Sequence, residues 1–217
     1  MNDFFDDPLI EVLLIARDKQ KTIGEIKFHY GSTLKEILTV LNSLDGIHIG
    51  IKEFYSEITD GFELNWKKDK NGFIGGNIQL ATTKYLFADP ESFGLYDEAT
   101  AENADIRFFH PLDYPSPESY VGFVIRPDSI YKSVYYVSIS DYQLYNLDLD
   151  FNGYTQMAVE ARVFNHWQKV LLYYMGVSET GVSETETFKT EMPKIFPDWT
   201  WENFIAKFEN LRLSNNT

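Results

Sequence analysis

The histidines, the side chains that most often bind metals or act as general bases, are widely separated at His29, His48, His110 and His166. None has the second histidine of an HExxH or His-x-His pair, the spacing that brings two imidazoles to one ion. The chain also has no cysteine, which excludes thiolate metal sites, disulfides and a cysteine nucleophile. We therefore predict no metal, no cofactor and no catalytic residue.

Glycines and carboxylates show no catalytic spacing either. Gly75-Gly76 lacks the following Gly-Lys-Ser/Thr of a phosphate-binding loop, and no GxSxG nucleophile elbow occurs. Asp148 and Asp150 are two residues apart, which suits capping at the start of a helix better than paired acid and base work in a cleft. The sequence favours a protein that is not an enzyme, but it leaves open a catalytic set assembled from distant Asp, Glu and Tyr residues.

The charge balance points to the class of partner. Among 217 residues there are 33 acidic and 19 basic ones, a formal net charge of -14. Such a chain repels a phosphate backbone, so nucleic-acid binding is disfavoured. An acidic surface instead attracts a basic protein and accelerates the encounter. The alternative is that the charge serves solubility alone.

The strongest local charge bias lies in residues 88–105, since no Lys or Arg occurs between Lys84 and Arg107. A loop of this length is usually functional or disordered, and the alternative to a binding role is a solvated loop. Aromatic residues beside carboxylates can anchor a partner that the charge attracts. We predict a partner-binding set in this segment: Phe93, Tyr96, Asp97, Glu98, Glu102 and Asp105.

The elements that must position these residues begin with a helix, a strand and a hairpin. Residues 51–58 have the apolar spacing of an amphipathic helix, which Asp60-Gly61 ends. Phe62, Leu64 and Trp66 then alternate with polar residues at the period of a half-buried strand. Turn residues at 69–72 predict a hairpin into a second strand that ends at Leu80, with a bulge or close backbone approach at the two glycines.

This unit resembles the SUKH superfamily, which includes a fungal cell-wall regulator and many bacterial immunity proteins. The matching residues are Phe54, Tyr55, Asp60, Gly61, Phe62, Leu64, Trp66, Gly76, Ile78 and Leu80. A second patch, Leu149, Asp150, Phe151 and Tyr154 before Trp167-Gln168, is similar to the closing helix of that family. The resemblance implies an intracellular binding protein, most often an immunity protein that neutralises a cognate toxin, commonly a nuclease. A regulatory scaffold is the other role that it implies.

The remaining segments predict an α+β fold with an antiparallel sheet of about four to six strands flanked by helices. Residues 23–30 read as a strand or an extended connector, and residues 110–117, which contain three prolines, as a turn. The other predicted strands are residues 106–109, 120–126, 134–140 and 142–147, the middle two forming a hairpin.

Helices are predicted from Pro8, from Ser32 or Thr33, over residues 150–176, and around an aromatic face formed by Trp199, Trp201, Phe204 and Phe208. Val-Ser-Glu-Thr occurs twice in residues 177–187, a polar, acidic stretch that predicts a mobile linker or loop. The predicted organisation is a SUKH-like domain over 1–176, a linker or loop over 177–190, and a C-terminal aromatic helix over 191–217 that packs on the domain or exchanges with a neighbour.

The amino-terminal residues predict a cytoplasmic protein. The sequence MNDFFDDPLIEV is acidic where a signal peptide is basic. No run approaches the roughly 18 apolar residues that a membrane-spanning helix needs. We therefore predict no membrane association, and the oligomeric state stays open.

Three functions remain after these steps, one of which is the intracellular regulatory scaffold that the resemblance also implies. The first is a non-catalytic protein that binds a cognate basic toxin through an acidic surface bearing aromatic residues. The alternative is an uncharacterised enzyme or small-ligand-binding protein with a pocket beside the hairpin at Gly75-Gly76. Converging polar groups in a concave site would favour the alternative.

Overall fold

The computed structural model describes residues 23–29, 50–58, 61–86, 105–126 and 131–216. They form an α+β fold whose antiparallel sheet has seven strands in sequence order. The strands are β1 (Ile23–Phe28), β2 (Phe62–Lys67), β3 (Gly75–Leu80), β4 (Phe109–Ser116), β5 (Ser119–Val124), β6 (Tyr135–Ser138) and β7 (Leu144–Asn146). The predicted class is confirmed, whereas the expected four to six strands were too few.

The strand predicted over residues 106–109 is displaced to β4, which occupies the segment where the sequence had predicted a turn. Shifts in its pairing with β5 between Pro111 and Asp113, and between Asp113 and Ser116, interrupt the ladder near the prolines, which have no N–H to donate. The Asp113 carboxylate accepts a hydrogen bond of 2.7 Å from the backbone N–H of Gln79, so a side chain serves as acceptor beside the interruption. Immediately before β4, Ile106–Phe108 forms a 3-10 turn in place of the predicted strand.

The helices are α1 (Ile51–Ile58), the single turn α2 (Thr83–Leu86), α3 (Phe151–Glu160), α4 (Trp167–Tyr174), α5 (Val182–Ile195) and α6 (Trp201–Leu211). Helix α1 and the alternating burial of β2 are as predicted. After α1, Gly61 has φ 92°, and a Cβ there would lie 2.7 Å from the Leu80 carbonyl oxygen. The helices predicted from Pro8 and from Ser32 or Thr33 lie outside the described residues. No helix in the described ranges has the length and apolar character needed to cross a bilayer.

The predicted continuous helix over residues 150–176 is broken between α3 and α4. Arg162, Val163 and His166 have φ of 51°, 48° and 64°. The break is held by two backbone hydrogen bonds to β3: the Asn77 N–H donates to Val163 O at 2.8 Å, and the Asn165 N–H donates to Gly75 O at 2.9 Å. Tertiary hydrogen bonds that a helix would prevent thus outweigh the helical preference of the segment.

The linker or loop predicted over residues 177–190 is also wrong in its secondary structure. Glu179–Gly181 forms a 3-10 turn and the 14-residue helix α5 follows. Its buried side chains are Thr185, Phe188, Met192 and Ile195, spaced three or four apart on one face. The repeated Ser-Glu-Thr residues make the sequence look polar because most of them occupy the outer face. Glu184 also forms an ion pair of 3.1 Å with Lys169 on α4.

The chain divides into two compact units. The tryptophan unit (Met1–Ile26, Leu64–Ile78 and Gly153–Thr217) contains all four tryptophans. The tyrosine unit (Lys27–Glu63 and Gln79–Asn152) contains eleven of the fourteen tyrosines. Each unit has its own aromatic core.

In the tryptophan unit, the ring of Trp66 is T-shaped to Phe196 at 5.5 Å, and its indole N–H donates to Arg162 O at 2.7 Å. Phe188 on α5 contacts Phe204 on α6 at 4.9 Å and Trp199 at 5.0 Å, so the C-terminal helix packs within its own chain. These rings are buried, and their contacts fix α5 and α6 to the hairpin end of the unit.

In the tyrosine unit, Phe54 of α1 is T-shaped to Phe151 at the start of α3, with ring centroids 5.4 Å apart. Neighbouring Tyr55 is fully buried, and its hydroxyl donates to Ala81 O at 2.7 Å. Pairing that hydroxyl removes the cost of burying a polar group. On β5, the buried side chains of Val121 and Phe123 lie on one face of the sheet, and a second, smaller cluster lies on the opposite face.

Candidate functional site

The second cluster of the tyrosine unit lies on the face of the sheet opposite its main core. Its buried members are Ile106, Phe109, Val124 and Val137. The antiparallel register sets Tyr120 opposite Val137 and Gly122 opposite Tyr135, so alternate residues of β5 and β6 point to this face. Because Gly122 has no side chain, the ring of Phe109 lies over it, with Cζ 2.9 Å from where a Cβ would be.

Half-buried tyrosines surround this small core and leave part of each ring at the surface. We call this the tyrosine face: Tyr114, Tyr120, Tyr135, Tyr142 and Leu144. Tyr114 and Tyr120 are T-shaped with centroids 5.5 Å apart, and Tyr135 is T-shaped to Tyr131 at 6.2 Å. Edge-to-face packing holds the rings in fixed orientations, so little side-chain entropy is left to lose on binding.

A cluster that we call the arginine corner borders the tyrosine face: Asp105, Arg107, Phe108, Arg126 and Tyr131. The Cζ of Arg126 lies 5.7 Å from the ring centroid of Phe108 and 5.8 Å from that of Tyr131. Arg107 lies over the same Phe108 ring at 5.2 Å. Arg126 also forms an ion pair with Asp105, and this carboxylate offsets the repulsion between two guanidinium groups that share one ring.

Burial raises the pKa of two hydroxyls of the tyrosine face, those of Tyr114 and Tyr135. Desolvation, followed by the neighbouring Tyr120, Tyr85 and Asp113, raises the pKa of Tyr114 to about 12. Desolvation and then Tyr131 raise the pKa of Tyr135. At neutral pH these groups are therefore uncharged and act as hydrogen-bond donors and acceptors.

The residue types of the tyrosine face and the arginine corner are those found at protein-recognition surfaces. Tyrosine and arginine are enriched at the energetic centres of protein interfaces because each combines an apolar surface with polar atoms. Within the ranges that the structure describes, no group of three or more His, Asp or Glu side chains is placed to hold a metal ion. The contacts of the face and the corner include ring packing, cation–π stacking and the ion pair between Arg126 and Asp105.

Of the predicted partner-binding residues, the structure describes Asp105 and places it in the arginine corner. Phe93, Tyr96, Asp97, Glu98 and Glu102 lie outside the described residues. The sequence reading missed the arginine corner. Arg107 and Arg126 each lay in a predicted strand, but a strand pattern does not reveal which residues of different strands come together on one face of the sheet.

The pocket expected beside Gly75-Gly76 has a counterpart in the tryptophan unit. There the outer side of the β2–β3 hairpin contains an open hollow of about 490 Å³. We call it the asparagine hollow, after three of its lining residues. Its lining consists of Asn65, Trp66, Lys67, Gly72, Phe73, Gly75, Gly76, Asn77 and Asn165.

Comparison with known proteins adds no assignment to these sites. No family model, no curated protein and no solved structure matches this chain. The SUKH resemblance therefore stays a prediction that depends on the residues quoted for it.

Proposed function

We propose that this chain is a non-catalytic binding protein that neutralises a basic protein, in the manner of an immunity protein acting on a nuclease-type toxin. One observation carries the proposal: the tyrosine unit combines a large excess of carboxylates with a half-buried face of tyrosines and an adjacent arginine corner. The α+β class and the antiparallel sheet agree with what the SUKH resemblance implies, which supports a cytoplasmic protein of that group.

The charge argument is specific to one part of the chain. The ranges of the tyrosine unit contain eighteen acidic and seven basic residues, whereas those of the tryptophan unit contain fifteen and twelve. A nuclease must be cationic where it holds phosphates. A field of opposite sign steers such a protein toward the tyrosine unit and raises the association rate.

The tyrosine face supplies the anchors that steering alone does not. Tyr120 and Tyr135 are half-buried, so each presents an apolar ring and a neutral hydroxyl with little conformational freedom left to lose. A few such residues usually contribute most of the binding free energy. The charge would therefore set the association rate of the partner, and the tyrosine face would set its dissociation rate.

Asp105 connects these two contributions. It is the last residue of the acidic segment 88–105, and its carboxylate pairs with Arg126 in the arginine corner. The acidic residues Asp97, Glu98 and Glu102, with Phe93 and Tyr96, therefore stand a few residues before the corner in sequence. We propose these six residues as the contact set, of which Asp105 is the member that the structure describes.

The test is an interferometry titration of the full chain against the protein encoded by the neighbouring gene, together with an assay of that protein's nuclease activity. The triple variant Asp97→Lys, Glu98→Lys and Glu102→Lys should slow association at least tenfold and relieve nuclease inhibition. Raising the salt concentration should reduce the difference between variant and wild type.

A matched control reverses the same number of exposed charges in the tryptophan unit: Glu179→Lys, Glu186→Lys and Glu202→Lys. Both triple variants change the net charge equally, so only the placement of the charge differs. Equal slowing by the two would show that net charge alone matters and would reject the site. Absence of binding by the wild-type chain would reject the proposed function.

A further inference from the structure

The asparagine hollow is built by a backbone arrangement that leaves part of a sheet surface without side chains. A Cβ at Gly75 would collide with the Trp66 carbonyl oxygen, and one at Gly76 with Trp66 Nε1 and the Val163 carbonyl oxygen. Both positions therefore require glycine. Hydrogen bonds join β3 to residues 163–165, so Asn165 lies beside the glycines at the edge of the hollow.

Side-chain amides dominate the polar part of this lining. Asn65 comes from β2, Asn77 from β3 and Asn165 from the break between α3 and α4. Within the part of the chain that the structure describes, the side-chain amides of Asn65 and Asn165 make no hydrogen bond to protein. Each amide offers two donor hydrogens and an acceptor oxygen, so each can bind a group that itself both donates and accepts.

The hollow also has an aromatic wall. Phe73 is 97% exposed, the highest exposure of any large apolar side chain in the described ranges. Trp66 is 1% exposed and its indole N–H is bound to Arg162 O, so its ring belongs to the core. Phe73 is therefore the lining ring on which a ligand can stack.

Charge narrows the class of ligand. The lining contains one cation, Lys67, and no carboxylate. A site for a polyanion would carry several cations, and a site for a cation would carry carboxylates. The volume of about 490 Å³ falls in the range of roughly 300–1,000 Å³ typical of small-molecule sites. These features suit an uncharged ligand of modest size with several hydroxyl groups and one apolar face.

We propose that the asparagine hollow binds a neutral sugar ring. The apolar C–H face of the ring stacks on Phe73, while neighbouring hydroxyls, each a donor and an acceptor, bind the amides of Asn65 and Asn165. The Lys67 ammonium donates to a further hydroxyl or to the ring oxygen. This activity lies outside the proposed function, because it uses the tryptophan unit and needs no protein partner.

The experiment measures saturation-transfer NMR on the full chain with a mixture of the methyl glycosides of glucose, galactose, mannose and N-acetylglucosamine. At least one sugar should receive saturation from the protein. Its affinity, measured by calorimetry, should fall roughly tenfold in Phe73→Ser and in Asn165→Ala. Both positions are at the surface, and circular dichroism verifies that each variant is folded.

Tyr173→Ser is the matched control, because Tyr173 is an exposed aromatic residue of the same unit that does not line the hollow. It should leave sugar binding unchanged. The inference is overturned if no sugar in the mixture receives saturation. It is equally overturned if binding survives both Phe73→Ser and Asn165→Ala, since the sugar would then bind elsewhere.

Discussion

The two units use aromatic residues in opposite ways. In the tryptophan unit, Trp66, Phe188 and Trp199 are buried and pack edge-to-face, so the rings close a core. In the tyrosine unit, Tyr120 and Tyr135 remain half-buried around a small cluster, so the rings also form part of a surface. The phenolic hydroxyl explains the difference, because it lets one end of the ring stay in water while the other is buried.

The charge follows the same division. The tryptophan unit is nearly balanced and many of its charges are paired, as in Glu191, which bonds both Lys68 and Lys194 at 2.7 Å. The ranges of the tyrosine unit carry most of the net negative charge. Self-repulsion of this kind destabilises a folded unit and at the same time attracts a cationic partner. The comparison separates a unit with nearly balanced, often paired charges from a unit that carries most of the net negative charge, and the proposed function assigns steering of a basic partner to the second.

The largest predicted effect is on stability, and it tests how tightly the buried aromatic core of the tryptophan unit is packed. Phe188→Ala removes a fully buried ring that contacts Phe164, Trp199 and Phe204, and it should lower the free energy of unfolding of the tryptophan unit by about 4 kcal/mol. Urea unfolding followed by tryptophan fluorescence is the measurement, since every tryptophan lies in this unit. Val182→Ala, at an exposed site on the same helix, should change it by less than about 0.5 kcal/mol. Similar losses in both variants would contradict a tightly packed core.

The second prediction concerns the close approach of the hairpin to the break between α3 and α4. Gly76→Ala places a methyl group against Trp66 Nε1 and the Val163 carbonyl oxygen, so the backbone must move. The same fluorescence measurement should show a loss of about 2 kcal/mol. Gly176→Asn is the control, because Gly176 has φ 69° with no atom near the added Cβ, and asparagine tolerates this conformation. A neutral Gly76→Ala would show that the hairpin and the break are not in firm contact.

The third prediction uses alkaline pH to probe the tyrosine unit. The raised pKa of Tyr114 favours the protonated hydroxyl in the folded state, so its contribution to stability is complete below about pH 10 and is lost as the pH rises through about 12. Tyr114→Phe should reduce this alkaline loss by about 1 kcal/mol, because the group is only partly buried and solvent screens the effect. Tyrosinate absorbance should show one late-titrating group fewer. A late phase of unchanged size in Tyr114→Phe would contradict this prediction.

The smallest predicted effect is on stability at acidic pH, and it concerns Glu191 of the tryptophan unit. Hydrogen bonds from Lys194 and then Lys68 lower the pKa of Glu191. The contribution of this carboxylate is therefore present above its ordinary pKa near 4.5 and is lost as the pH falls through the lowered value. Glu191→Gln should reduce the free energy of unfolding near neutral pH by about 0.5 kcal/mol. The further loss of stability at acidic pH should then be smaller than in the wild type. Thermal melting across this pH range measures the difference, and identical acid profiles would show that the pair contributes nothing.

Elements with a strong local pattern were predictable from the sequence. Phe62, Leu64 and Trp66 alternate, and the structure buries all three on β2. The hairpin of β5 and β6 and the helix α6 follow from the same reasoning. In these elements the local preference and the tertiary environment agree, so the pattern survives folding.

Where the local preference and the tertiary environment disagree, the prediction from the sequence was wrong. The prolines of β4 indicated a turn, and the shifts in strand pairing found beside them cannot be read from the sequence. In α5, the polar residues of the outer face concealed the buried positions of Phe188 and Met192. Positive φ at Arg162 and Val163 depends on bonds to β3, about 90 positions earlier in the chain. For the candidate site, composition singled out Asp105, but its pairing with Arg126 depends on how the 3-10 turn and β5 come together.

The bonds between β3 and residues 163–165 bear on how the protein emerges from the ribosome. Every residue of the tyrosine unit precedes position 153, whereas the tryptophan unit draws on both ends of the sequence. Because synthesis adds residues more slowly than small units fold, the tyrosine unit has its complete complement of residues while the amino-terminal part of the tryptophan unit still lacks a partner. Until Val163 and Asn165 are added, the Asn77 N–H lacks its acceptor and the Gly75 carbonyl lacks its donor, so these two groups at the start of β3 stay unpaired during synthesis.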